Sequence, residues 1–135
     1  MVDTVIKRFG LLGRNISYSF SKGYFTDKFN NENFVGCSYE NFDIPEITGF
    51  PEVIKNTADL KGLNVTIPYK ETVLPFLDKL SKKAEIIGAV NTIRITKKGK
   101  LKGYNTDYYG FKKSLEPLLQ PHHKKALILG TGGAS

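Results

Sequence analysis

Four short stretches carry more polar chemistry than packing asks for: SYSFS (residues 17–21), NVTIPYK (64–70), AVNT (89–92) and YNTD (104–107). Together they offer hydroxyls from Ser19, Ser21 and Thr66, amides from Asn64 and Asn91, a cation at Lys70 and an anion at Asp107. Asn64 and Thr66 lie two apart in an apolar run, so on a strand they face one side and can act on one ligand. Such a set suits a small ligand that is both an acid and a polyol. Ser19 and Ser21 stand where a helical pattern begins, and a helix N-terminus offers unpaired N–H groups and a favourable dipole to a carboxylate. Each residue also has a plain structural alternative. One serine can simply cap the helix, Asn64 and Thr66 can serve a turn, and a lone lysine can be a solvated charge. A fifth stretch, ALILGTGGAS (126–135), joins an apolar run to a glycine-rich turn, the usual opening of a nucleotide-binding unit.

Strands and helices must alternate to hold these stretches. VIKRFGLLG (5–13) reads as a buried strand closed by glycine, and the run through Phe25 and Phe29 as a helix ended by an asparagine cluster. VGCSYENFDI predicts a second strand, Pro51 opens a helix through residues 52–55, and GLNVTIP predicts a third strand that Pro68 must end. In KETVLPFLDKLSKKAEIIG, Leu74, Leu77 and Leu80 have helical spacing, with Pro75 limiting its regularity. AVNTIRITKKGKLKGYNTD predicts an antiparallel hairpin turning at Lys98 and Gly99. Thr106 then offers an N-cap to a helix whose Tyr108, Phe111, Leu115 and Leu118 share a face, and residues 126–129 predict a last strand. The expected fold is α/β: a mainly parallel sheet with one antiparallel hairpin and helices on both faces. Ligands of such sheets bind beyond the carboxyl ends of strands, where three of the four stretches fall.

At 135 residues, 40% hydrophobic and 24% charged, the chain fits one globular domain, and no stretch approaches the roughly 20 apolar residues of a membrane span. A single cysteine, Cys37, excludes an internal disulfide, and the N-terminus lacks a secretory pattern, so a reducing cytoplasm is the expected setting. The net charge of +7 comes from lysines beside turns without interleaved aromatics, which argues against a nucleic-acid partner. No metal site is expected.

GLNVTIPYK, IGAVNT, GYNTD and LGTGGAS, in that order and spacing, resemble the shikimate dehydrogenase family from about Phe9 onward. The resemblance implies a substrate-binding and catalytic domain over residues 1–121. Residues 122–135 would then be a linker with the first strand and glycine-rich loop of an NADP-binding Rossmann domain, cut before its helix. It further implies that Ser19 and Ser21 bind the substrate carboxylate, that Asn64, Thr66, Asn91 and Asp107 hold its hydroxyls, and that Lys70 and Asp107 are the catalytic pair. Gly130, Gly132, Gly133, Ala134 and Ser135 would belong to the cofactor site. The implied activity is NADPH-dependent, reversible reduction of 3-dehydroshikimate to shikimate, on the route to chorismate and aromatic amino acids. The full-length enzyme would be a monomer or homodimer, and the chain by itself inactive, since a ketone without a bound nicotinamide has no hydride source. Two alternatives are a quinate/shikimate dehydrogenase of broader range and a non-catalytic module that binds an acidic polyol. The family often reads HSxSP in the first motif, whereas this chain has Tyr18 and Lys22 at the His and Pro positions and Asn15 where a further Pro is common.

Overall fold

Strand β1 (Lys7–Gly13) lies inside the sheet with a strand paired on each side, and its last four residues are buried. Period-2 alternation sends Leu11 and Leu12 to opposite faces, where each joins a different apolar cluster. The structure, a computed structural model, describes residues 5–135. After β1 come α1 (Phe20–Asn31), β2 (Cys37–Asp43), α2 (Phe50–Asn56), β3 (Leu60–Val65), α3 (Tyr69–Thr72), β4 (Lys79–Leu80), α4 (Lys82–Ile87), β5 (Thr92–Ile95), β6 (Leu101–Tyr104) and α5 (Asp107–Leu115).

The six strands form one sheet in the order β2-β1-β3-β5-β6-β4. β1 pairs in parallel with β2 and β3, and β4 with β6, while β5 is antiparallel to both β3 and β6. Five strands therefore share a direction and β5 alone is reversed. The expected hairpin is present, its turn carried by Gly99 at φ 74°, and the antiparallel character extends to a second pairing, with β3.

One face is sealed by Phe50 of α2, Tyr69 of α3, Val73 just beyond it and Ala84 of α4, packed on Leu12, Leu63, Val65 and Ile93. On the other, α1 packs Phe25 and Phe29 against Leu11, Ile16 and Tyr39. Among the described residues, no helix is long and apolar enough to cross a membrane.

Three expectations are corrected. The helical reading of residues 70–88 breaks into α3, a 3-10 turn over Leu74–Phe76, the short strand β4, and α4. Pro75 lacks the N–H that would continue the helix, and Leu77 turns extended at φ −97° and ψ 140°. Asp78 then accepts from the Leu101 backbone N–H at 2.8 Å and from Lys100 Nζ at 3.0 Å, which pins the segment to β6. A new helix starts where the Ser81 hydroxyl caps the N–H of Ala84.

At the start of α5, Thr106 occupies the N-cap position but makes no side-chain cap. The neighbouring Asn105 carboxamide accepts from the Tyr108 N–H at 3.3 Å instead. The expected helix ends at Leu115 and passes into a 3-10 turn over Glu116–Leu118, and among the described residues Phe111 of α5 and Leu118 of that turn are each 68% exposed. Residues 126–129 form no sheet pairing, and Leu127, Ile128 and Leu129 are exposed. An apolar run makes a strand only when a neighbouring strand takes its backbone groups, and none lies beside it here.

Candidate functional site

Four of the sheet's chain ends meet along one edge. β1 leads into the serine loop, β3 into Thr66, and β6 into Asp107, all from their carboxyl ends. Because β5 is reversed, it brings its amino end to the same edge and sets Asn91 there. Backbone bonds stitch the edge together: Thr66 N–H to Leu12 O at 2.9 Å, Val65 N–H to Asn91 O at 2.8 Å, and Asn91 N–H to Tyr104 O at 3.0 Å. The Gly88 C-cap of α4, left-handed at φ 74°, turns the chain into this edge.

Lys70, Asp107 and Asn91 form one hydrogen-bonded corner. Lys70 Nζ donates to Asp107 Oδ2 at 2.6 Å, and Asn91 Nδ2 donates to Asp107 Oδ1 at 2.9 Å. Both carboxylate oxygens are thus engaged. The Lys70 side chain is 17% exposed and that of Asp107 45%, so the pair faces solvent on the acid's side. Asn91 is held in turn by three bonds: Nδ2 also donates to Thr106 Oγ1 at 2.8 Å, and Oδ1 accepts from the Thr106 N–H at 2.9 Å and from Thr92 Oγ1 at 3.1 Å. Lys70 is fixed at its backbone, where its carbonyl accepts from the Val90 N–H at 2.7 Å. An ammonium so placed can stabilise negative charge developing on a ligand oxygen and deliver a proton to it.

The second corner is neutral. The Ser19 hydroxyl caps α1 by accepting from the Ser21 N–H at 3.2 Å, so the structural role foreseen for one serine is present. The loop before it is anchored by Asp43, whose carboxylate accepts from the Asn15 and Ile16 N–H groups at 2.9 and 3.0 Å. Asn15 sits at φ 55°, a left-handed conformation closed to proline, which explains why Pro is absent at this position. Thr66 lies one residue past β3, and its methyl and that of Ile16 both close on Gly13. Gly13 permits this, since a Cβ there would stand 2.6 Å from Ile16 Cγ2 and 2.7 Å from Thr66 Cγ2. Asn64 accepts at Oδ1 from the phenol of Tyr39 at 2.8 Å. Burial pushes that phenol up to about 12, while the nearby Ser21 side chain acts in the opposite sense. Tyr18 is 84% exposed.

Motif reading misses Tyr39 and Thr106 as members of these corners. Thr106 is visible in YNTD, but only as a cap. For Tyr39 nothing in the local pattern announces a partner 25 positions away.

The glycine-rich loop lies beside Lys70. Gly132, Gly133, Ala134 and Ser135 line a hollow of about 320 Å³ with Ile67, Pro68, Lys70 and Glu71. A Cβ on Gly133 would stand 3.1 Å from Lys70 Cβ and 3.3 Å from Glu71 Cγ, and Gly130 has φ 116°. Glycine thus serves the loop's close approach at Gly133 and its backbone shape at Gly130. Among the described residues no group of three His, Cys, Asp or Glu side chains could hold a metal.

Residues 11–93 match the family model of the shikimate dehydrogenase substrate binding domain. The shikimate dehydrogenase (NADP(+)) of Caldanaerobacter subterraneus subsp. tengcongensis is 41% identical over 141 residues, an alignment covering 99% of this chain and 48% of that protein. Shikimate dehydrogenase 1 of Peptoclostridium difficile superposes with a TM-score of 0.84 at 39% identity, over 96% of this chain and 48% of its own. The enzyme of Thermus thermophilus, solved in complex with shikimate, gives 0.81 at 36% identity, over 96% and 49%. The chain spans about half the length of these relatives. By the match of the family model and the agreement of the fold, this chain belongs to the shikimate dehydrogenase substrate binding domain family.

Proposed function

We propose that this chain is the substrate-binding and catalytic half of an NADPH-dependent shikimate dehydrogenase, which reduces 3-dehydroshikimate reversibly to shikimate. The observation that carries the reading is the Lys70, Asp107 and Asn91 corner at the carboxyl edge of the sheet, within a chain of this family. Residues 1–121 are the substrate domain, and 122–135 are a linker followed by the apolar run and glycine-rich phosphate loop with which the cofactor domain begins.

Ser19 and Ser21 take the substrate carboxylate, and Asn64, Thr66, Asn91 and Asp107 take its hydroxyls. Gly130, Gly132, Gly133, Ala134 and Ser135 would face the cofactor phosphates. The chemistry a reduced nicotinamide supplies when bound is a hydride for the ketone carbon. Lys70 holds its ammonium at the ketone oxygen, stabilises the alkoxide as it forms, and gives it the proton that completes the hydroxyl. Asp107 keeps the ammonium oriented, and Asn91 keeps Asp107 in place. The reverse reaction uses the same groups, with Lys70 accepting the hydroxyl proton.

The test is 3-dehydroshikimate reduction by the full-length protein, followed by loss of NADPH absorbance and compared with Lys70→Ala. The variant should lose nearly all turnover. Full kcat in Lys70→Ala would overturn the assignment, and shikimate binding by the native protein without any turnover would favour a non-catalytic binding module.

A further inference from the structure

Tyr39 takes no part in the chemistry above, yet it joins two elements of the proposed site. From β2 its phenol passes over the neighbouring β1 and donates to Asn64 Oδ1 on β3. The residue is 5% exposed, and its ring stacks on Phe25 of α1 at a centroid distance of 4.6 Å and 15° between planes. Phe25 stands one helical turn after Ser21 in the same helix. The Tyr39 ring therefore bridges the helix that begins at the serines and the strand that carries Asn64.

The direction of the bond matters. A carboxamide has an accepting end and a donating end, and a phenol O–H can donate only to the first. With Oδ1 turned back to Tyr39, Nδ2 is the end left for a ligand, and among the described residues it has no intramolecular acceptor. A phenol is protonated throughout the neutral range, so it remains a donor there.

We propose that Tyr39 is a positioning residue that locks the Asn64 carboxamide with its N–H end toward the substrate and ties that amide to the first turn of α1. This rests on the functional reading given above. Without the phenol O–H, the Asn64 amide has two orientations to choose from, and one of them presents a second oxygen to a substrate hydroxyl.

The experiment compares the full-length native protein with Tyr39→Phe, Asn64→Ala and the double variant, measuring the shikimate dissociation constant and the steady-state constants for 3-dehydroshikimate. Tyr39→Phe keeps the ring and its stack on Phe25. It should weaken shikimate binding about five- to tenfold, the range expected for one lost hydrogen bond, with the change in KM larger than that in kcat. In the Asn64→Ala background the same substitution should cost nothing further, because Tyr39 acts through that amide. A Tyr39→Phe loss that persists in full in the Asn64→Ala background overturns the proposal, as does a Tyr39→Phe enzyme that binds normally while Asn64→Ala binds poorly. Unchanged binding in Asn64→Ala together with full turnover in Lys70→Ala brings down the functional reading and this proposal with it. Asn64→Asp gives an independent arm should Tyr39→Phe fail to fold. Its carboxylate still accepts from Tyr39 but offers no N–H, so binding must fall at least as far as in Asn64→Ala, and retained affinity overturns the proposal.

Discussion

The two corners of the site are built on opposite principles. Around Lys70 the groups are charged and partly exposed, and hydrogen bonds fix them: Asp107 receives a bond on each oxygen, and Asn91 is bonded at both ends. Around Asn64 the groups are neutral, and an aromatic stack in the core fixes them. Burying the Lys70 pair would incur a desolvation cost that only excellent pairing offsets. A phenol and an amide carry no such cost, so they can be positioned from within. The charged corner should therefore fail in chemistry before it fails in folding, whereas the neutral corner couples binding to stability.

The sharpest way to separate them is Lys70→Ala, which should lower kcat by about 10²–10⁴ in the NADPH assay, the usual range for a positioned acid or base. Its urea midpoint should stay close to that of the native protein, because the Asp107 side of the pair is 45% exposed and an ion pair open to solvent contributes little to stability. Next comes Asn91→Ala, which leaves Asp107 with Lys70 as its only side-chain donor among the described residues. A fall in kcat/KM of roughly tenfold is expected from steady-state kinetics, and no change would mean that Lys70 orients Asp107 unaided.

Ser19→Ala tests the neutral side. Removing the α1 cap should cost about 1 kcal/mol in urea unfolding and weaken shikimate binding in the same variant. Loss of stability with undiminished binding would reduce Ser19 to its capping role. The smallest effect concerns alkali. The Tyr39 phenol titrates at about 12 in the folded chain against an ordinary 10.0, so its contribution is complete below pH 10 and declines as pH rises toward 12. Over that window the urea midpoint of the native protein should fall further than that of Tyr39→Phe. Parallel curves for the two would show that the phenol is no more buried folded than unfolded.

How legible the molecule is depends on the reach of the signal. Alternating strands and helices, the hairpin at Gly99 and the glycine stop of β1 are visible because a short window decides each. The stretch from Lys70 to Gly88 is not, since its leucine spacing is helical while Asp78 binds a backbone 23 positions away. Tyr108, Phe111 and Leu115 fall within α5 as their spacing predicts, whereas Leu118 lies in the 3-10 turn beyond it, and periodicity names a face and not what covers it. In the site, the residues of NVTIPYK, AVNT and YNTD stand out by type, and their order carries the family resemblance. What the sequence does not express is geometry between distant strands: that Asn91 engages Asp107, or that a tyrosine on β2 reaches an asparagine two strands over.

The reversal of β5 has a practical use. By starting at the functional edge it must finish at the far one, so the Lys97, Lys98 and Gly99 tip points away from every residue assigned to the substrate, and all three are exposed. That tip is the natural port for engineering. A peptide tag, a fluorophore or a tether spliced between Lys98 and Gly99 would hang from the back of the domain, reporting on the protein or immobilising it while leaving the front unobstructed.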